Sequence, residues 1–224
     1  MSFSEQFPIV FAALNTGFLQ TLKLFAVTLL GAIPLGLIIS FGSMARFKPL
    51  AYLTRTVVWV FRGSPLMLQL LIIYFGPGLL FGNPIWGGGE EGRFLASAVA
   101  FILNYACYFS EIYRGGIQGV PRGQEEAGQV LGLSRRQIFF KVTLLQMIKR
   151  IVPPMSNEII TLVKDTSLAF SIGVAEMFTE AKALVASQRN MIPFAISAGL
   201  YWVICLVITA ILNRVEKKLA YYHD

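Results

Sequence analysis

Polar and ionisable side chains that fall inside long apolar runs carry the chemistry of this sequence. Asn104, Tyr108 and Glu111 recur at i, i+4 and i+7, and Glu158, Thr161 and Asp165 at i, i+3 and i+7, so each triplet shares one helical face. Asn157 and Lys164 adjoin the second stripe, and Arg62, Ser64 and Pro65 interrupt an earlier apolar run. An ionisable group among apolar residues needs a partner or water, which makes these positions candidates for a solute pathway. Their types suit a small zwitterion: Glu158 or Asp165 would accept an ammonium, while Arg62, Ser64 and backbone amides near Pro65 would meet a carboxylate. The candidate binding set is therefore Glu158, Asp165, Asn104, Ser64 and Thr161. The same residues admit a structural reading, with Lys164 and Asp165 as an ion pair and Asn104 and Thr161 as hydrogen-bond links between helices.

Catalysis and metal binding that depend on histidine are excluded by residue type. The single histidine, His223, is the penultimate residue, so a His-based metal site, a Ser-His-Asp triad and a Cys-His pair all lack their central member. Cys107 and Cys205 each lie inside an apolar run and read as small hydrophobes. No G-x-x-x-x-G-K-[ST] occurs, and the Gly87-Gly88-Gly89 run has neither a preceding strand nor a following Lys-Ser/Thr, so it reads as a flexible turn. This chain is expected to bind no cofactor, and no catalytic or metal residues are assigned. The net charge of +7 is spread between apolar runs and not gathered into a stripe interleaved with aromatics, which argues against nucleic acid as a partner.

The elements that must position these residues are membrane helices. Of 224 residues 55% are hydrophobic and 14% charged, a balance that calls for a lipid solvent. Apolar runs at about 22–41, 56–81, 94–113, 151–174 and 193–212 are each long enough to cross a ~30 Å hydrocarbon core. The expectation is an all-α integral membrane protein of about five spans forming one domain over 1–224, with the second and fourth spans interrupted by polar motifs. Met1 to Gln20 carries no basic n-region, so the first run reads as a retained span. Glu176, Glu180 and Lys182 read as solvated charges of an outer loop, and Lys23 as snorkelling to the outer interface.

The longest polar interval, 114–150, reads as two short helices joined by a turn. Gly132 supplies the positive φ that ends the first, and Ser134 with Gln137 forms a capping box for the second. This segment resembles the "EAA" loop of ABC importer permeases, matching at Glu126, Ala127 and Gly132, with Val142 and Leu144 in the later apolar positions. It departs at Gly128, where the family has a second alanine, and at Leu145, where the family usually has proline. Arg62-Gly63-Ser64-Pro65-Leu66 with Gln69-Leu70, Glu111-Ile112-Tyr113-Arg114-Gly115-Gly116-Ile117, Gly123-Gln124 and Lys164-Asp165-Thr166-Ser167-Leu168 resemble the permeases for polar amino acids.

The resemblance implies a type I ABC importer-like permease in a bacterial cytoplasmic membrane, working by alternating access. It implies that Glu125, Glu126, Ala127 and Gly132 couple to separate ATPase subunits that hold ATP-Mg. It further implies a second permease copy or related permease, and an extracytoplasmic substrate-binding protein that delivers an amino acid. A permease for another polar solute, such as an opine or a sulfur amino acid, fits the same motifs. A proton-coupled secondary transporter, using the intramembrane carboxylates as a relay, is the alternative from a different class.

Orientation follows from the basic residues. Arg46, Lys48 and Arg55 follow the first run, seven Lys/Arg from Arg114 to Arg150 follow the third, and Arg214, Lys217 and Lys218 follow the fifth; the other side has Arg93, Lys182 and Arg189. The N-terminus is therefore expected outside and the C-terminus in the cytoplasm. A reporter fused after Asp224 should be cytoplasmic and one inserted at Gly88 external; both on one side would refute the five-span scheme.

Overall fold

The computed structural model describes residues 3–219, and His223 and Asp224 lie outside the described residues. Its regular elements are helical: α1 (Phe3–Ser43), α2 (Lys48–Gly63), α3 (Leu66–Phe81), α4 (Glu90–Gln118), α5 (Arg122–Val130), α6 (Arg135–Ile138), α7 (Leu144–Asp165), α8 (Met177–Gln188) and α9 (Ile192–Leu219). A π-helical segment, Phe139–Thr143, joins α6 to α7, and a 3₁₀ segment, Thr166–Ile172, follows α7. Among the described residues α1, α4 and α9 are long and apolar enough to cross a bilayer, and α2 with α3 qualify as a pair bent by 107°. α7 carries Lys149, Arg150, Glu158, Lys164 and Asp165 and falls outside that apolar set.

The first apolar run is part of a much longer helix. α1 has 41 residues, about 60 Å at 1.5 Å per residue, and it packs two different sets of partners along its length. Its N-terminal half places Val10 and Leu14 in a core with Met177 and Ala181 of α8 and Ile196 and Ile204 of α9. Its C-terminal half brings Leu24 and Ala32 to α4, where Phe101, Tyr105 and Phe109 form the main core with Leu162 of α7. Close backbone approach permits this: a Cβ on Gly36 would stand 2.9 Å from the Ala106 carbonyl oxygen and from Phe109 Cβ. Small residues at such crossings are the usual means of helix packing in lipid, where apolar burial gives no advantage over contact with acyl chains.

The second run is broken in the middle, for a reason visible in the backbone. Proline has no N–H, so Pro65 leaves the Phe61 carbonyl without its helical donor and Pro77 does the same to Ile73. Both acceptors are filled by side chains. Gln69 Nε2 donates to Phe61 O (2.7 Å), and Trp86 Nε1 donates to Ile73 O (2.7 Å). Replacing Trp86 with Phe removes the second donor and leaves Ile73 O unsatisfied, at a cost of about 1–3 kcal/mol. Trp86→Phe should therefore lower the thermal midpoint of the detergent-purified protein. Pro77→Ala should offset part of that loss, because it restores an amide to the same carbonyl; a strictly additive pair would refute the account.

Candidate functional site

Three helices, α2, α4 and α7, line an open cavity of about 450 Å³, with Arg62, Tyr108, Glu111, Gly115, Arg150 and Glu158 among its walls. The two stripes seen in the sequence thus meet, α4 supplying Tyr108 and Glu111 and α7 supplying Glu158, while the end of α2 adds Arg62. The Arg62 guanidinium lies 5.1 Å from the centroid of the Tyr108 ring, and its Nη1 is 3.9 Å from Glu111 Oε2. Glu111 is already held by two hydrogen bonds from Arg114, one of them Nε to Oε1 at 3.0 Å. Glu158 has no hydrogen-bond or ion-pair partner among the described residues and is half-buried. The cavity therefore presents a guanidinium that forms a long ion pair with Glu111 and acts at longer range on Glu158, whose carboxylate has no direct hydrogen bond or ion pair among the described residues.

The other candidates sit elsewhere. Asn104 is buried and donates through Nδ2 to Gln69 Oε1 (2.9 Å), and Ser64 Oγ donates to Val60 O (2.8 Å) while accepting from Gln69 Nε2 (2.8 Å). Ser64 lies at the α2–α3 junction, and Asn104 reaches that junction from α4. Asp165 accepts a hydrogen bond from Tyr105 Oη (2.7 Å), which ties the end of α7 to α4. Thr161 is half-buried on α7 and is not among the lining of the 450 Å³ cavity. Lys164 faces a different, largely apolar cavity of about 670 Å³, beside Phe178, Phe194 and Trp202.

One expectation is overturned outright. Glu176, read as a solvated loop charge, is fully buried and caps α8. Its carboxylate accepts from Phe178 N (2.7 Å), Thr179 N (2.7 Å), Thr179 Oγ1 (2.8 Å) and Tyr201 Oη (2.9 Å), and these four donors replace the water that a solvated position would have supplied. The signal was an acidic residue at an N-cap with threonine three positions on. Lys23 and Lys182, also read as outer charges, are exposed and stack over the rings of Phe94 and Phe170 at 4.6 and 5.3 Å. In the sequence Gln69 stands out only as part of the Gln69-Leu70 motif; its role follows from the carbonyl that Pro65 orphans at Phe61.

The polar interval after α4 forms the helix and turn expected of it. α5 ends in a Schellman arrangement, with Leu133 N donating to Gly128 O (3.0 Å), Gly132 N donating to Gln129 O (2.9 Å), and Gly132 at φ +72°. Ser134 then caps α6 through the reciprocal bonds with Gln137. Gly128 is buried against Ile138, where an added Cβ would stand 2.7 Å from Ile138 Cγ1, which explains glycine in place of alanine. The second helix does not stop: α6, the π-helical segment and α7 run on from Arg135 to Asp165, passing through Leu145 without a break. Glu125, Glu126 and Ala127 are exposed, as are Val130 and Leu131 at 88% and 77%.

Comparison with known proteins assigns this helical bundle, with its broken second span, charged cavity and exposed helix-turn loop, to the transmembrane subunits of ABC importers. The chain belongs to the family of binding-protein-dependent transport system inner membrane components, whose model matches residues 32–221. The arginine transport system permease protein ArtQ of Bacillus subtilis (strain 168) is 37% identical over 205 residues, covering 91% of this chain and 90% of its own length. The L-cystine transport system permease protein TcyB of the same organism is 34% identical over 211 residues, covering 93% and 87%. The crystal structure of an amino acid ABC transporter with histidines superposes with a TM-score of 0.85 at 30% identity, covering 97% of this chain and 99% of that one. The chain is accordingly a transport subunit and not an enzyme, with ATP hydrolysis on a separate subunit.

Proposed function

We propose that this permease translocates a polar amino acid inward through the cavity between α2, α4 and α7. The uncommitted Glu158 facing the Arg62, Tyr108 and Glu111 wall carries the reading. A zwitterion needs an acceptor for its ammonium and a donor for its carboxylate at fixed separation, and Glu158 and Arg62 offer one of each. The arginine and L-cystine permeases among the relatives support an amino acid as the solute. The L-cystine relative also favours a second reading, a sulfur amino acid, and competition between labelled L-arginine and L-cystine for uptake separates the two.

In the assembled importer, α5 docks on an ATPase subunit on the cytoplasmic side, with Val130 and Leu131 as its apolar contacts and Glu125, Glu126 and Ala127 along its exposed length. A second permease completes the membrane unit, and a substrate-binding protein delivers the solute from outside. Closure of the two nucleotide-bound ATPases would swing α5, and the continuous helix behind it would carry that motion to Glu158 on α7. Gly132→Val should weaken retention of the ATPase during purification, because a β-branched residue at positive φ costs roughly 1–2 kcal/mol or more; Gly132→Asn should weaken it less. Equal retention in both would show that the turn does not govern docking.

Glu158→Gln should lower uptake per assembled complex at least tenfold, equivalent to about 1.4 kcal/mol of lost interaction, with complex yield near parental. Asp165→Asn should act in the other order, lowering yield first, since its partner is Tyr105 and not the cavity. Parental uptake by assembled Glu158→Gln complexes would remove this residue from the pathway.

A further inference from the structure

The end of α2 is anchored more completely than a helix end requires. The last carbonyls of a helix lack intrahelical donors. Here Val60 O accepts from Ser64 Oγ (2.8 Å), Phe61 O from Gln69 Nε2 (2.7 Å) and Arg62 O from Tyr108 Oη (3.4 Å). Gln69 Nε2 also reaches Ser64 O (3.1 Å) and Ser64 Oγ (2.8 Å), so one amide grips the chain on both sides of Arg62. Its orientation is determined: Oε1 accepts from Asn104 Nδ2 (2.9 Å), and Asn104 and Gln69 are only 4% and 7% exposed.

The Arg62 side chain, by contrast, is weakly held. It is 43% exposed, its ion pair with Glu111 is 3.9 Å long, and Glu111 is already committed to Arg114. The remaining contact of the guanidinium is with the Tyr108 ring of α4, 5.1 Å to the centroid, so it is aimed by that ring and by the backbone that carries it. Its direction into the cavity is set by where its backbone sits relative to α4.

We propose that Gln69, held by Asn104, is the positioning residue that aims Arg62 at the solute in the cavity. Neither amide touches the solute; Asn104, first read as a solute ligand, acts mainly through Gln69 (2.9 Å) beside a longer hydrogen bond of its own to Phe61 O (3.5 Å), and Gln69 acts through the backbone of Arg62. The proposal rests on the reading of the cavity as the pathway and assigns the polar junction a part in solute affinity beyond sealing a broken helix.

The test uses the complete importer in proteoliposomes. Its solute is whichever of labelled L-arginine, L-histidine, L-glutamine and L-cystine the parental complex transports best. Gln69→Met keeps the side-chain length and removes both donors, and it should raise the apparent KM for uptake about tenfold, the scale of one lost buried hydrogen bond, with a much smaller change in maximal rate. Arg62→Gln should raise KM similarly, and the double variant should be no worse than Arg62→Gln alone, because residues acting through one another are not additive. The exchange of the two amides, Gln69→Asn with Asn104→Gln, should return KM toward the parental value and lies well above Gln69→Asn alone in affinity. A parental KM in assembled Gln69→Met complexes, or additive effects in the double variant, overturns the inference while leaving the pathway intact. A parental KM for Arg62→Gln overturns the pathway reading and the inference with it. Should Gln69→Met fail to assemble, Gln69→Asn and the exchanged pair carry the same comparison, and an exchanged pair no better than Gln69→Asn overturns the inference.

Discussion

A backbone carbonyl that loses its helical donor inside an apolar solvent must find another donor within the protein, and this constraint shapes the middle of the molecule. Pro65 divides what would be one span into α2 and α3, and the carbonyl it frees at Phe61 draws Gln69 across the bend. Gln69 in turn binds Asn104, which ties the bend to α4. The charged cavity forms beside this junction because Arg62 is the penultimate residue of α2 and the bend leaves its side chain facing Tyr108 and Glu111.

α4 is the element on which the rest converges. One of its faces meets the C-terminal half of α1 at backbone contact distance, another receives the α2–α3 junction, and a third opens to α7 across the cavity. Tyr105 and Tyr108 lie on this helix three residues apart and serve different ends: Tyr105 holds Asp165 at the end of α7, and Tyr108 stacks against Arg62. Polar links of this kind, distributed over several helices, fix the register of a bundle whose apolar surfaces would otherwise pack in several ways.

The exposed loop is bonded as a unit. Local bonds alone terminate α5 and start α6, and Gly128 lets the two pack closely on Ile138. Gln146 on α7 donates to Gln124 on α5 (3.1 Å), so the loop is also linked to the helix that follows it. With no proline at Leu145 the helical path from the turn to the carboxylates of α7 is continuous, although a π-helical segment with no buried residue lies within it. A single helical path thus joins the loop to the cavity wall at Glu158.

Much of this was legible in the sequence because it depends on local rules. Apolar run length marks α1, α4, α9 and the bent α2–α3 pair but not the charged α7, the Gly132 and Ser134-to-Gln137 pattern marks the turn and its cap, and proline marks the break at Ser64-Pro65. Helical spacing placed Tyr108, Glu111 and Glu158 on polar faces, and those faces do meet. What the chain could not disclose is which polar group satisfies which, since that depends on approach between residues far apart in sequence. Asn104 and Ser64 read from the sequence as solute ligands and in the structure both bind Gln69, while Glu176 reads as a solvated charge and in the structure is buried against Tyr201 of α9. Periodicity reports the direction in which a side chain points from its own helix. Only the tertiary structure decides whether it meets a neighbour's orphaned carbonyl, a buried donor or an open cavity, because desolvation and partnering are properties of the packed neighbours and not of the residue alone.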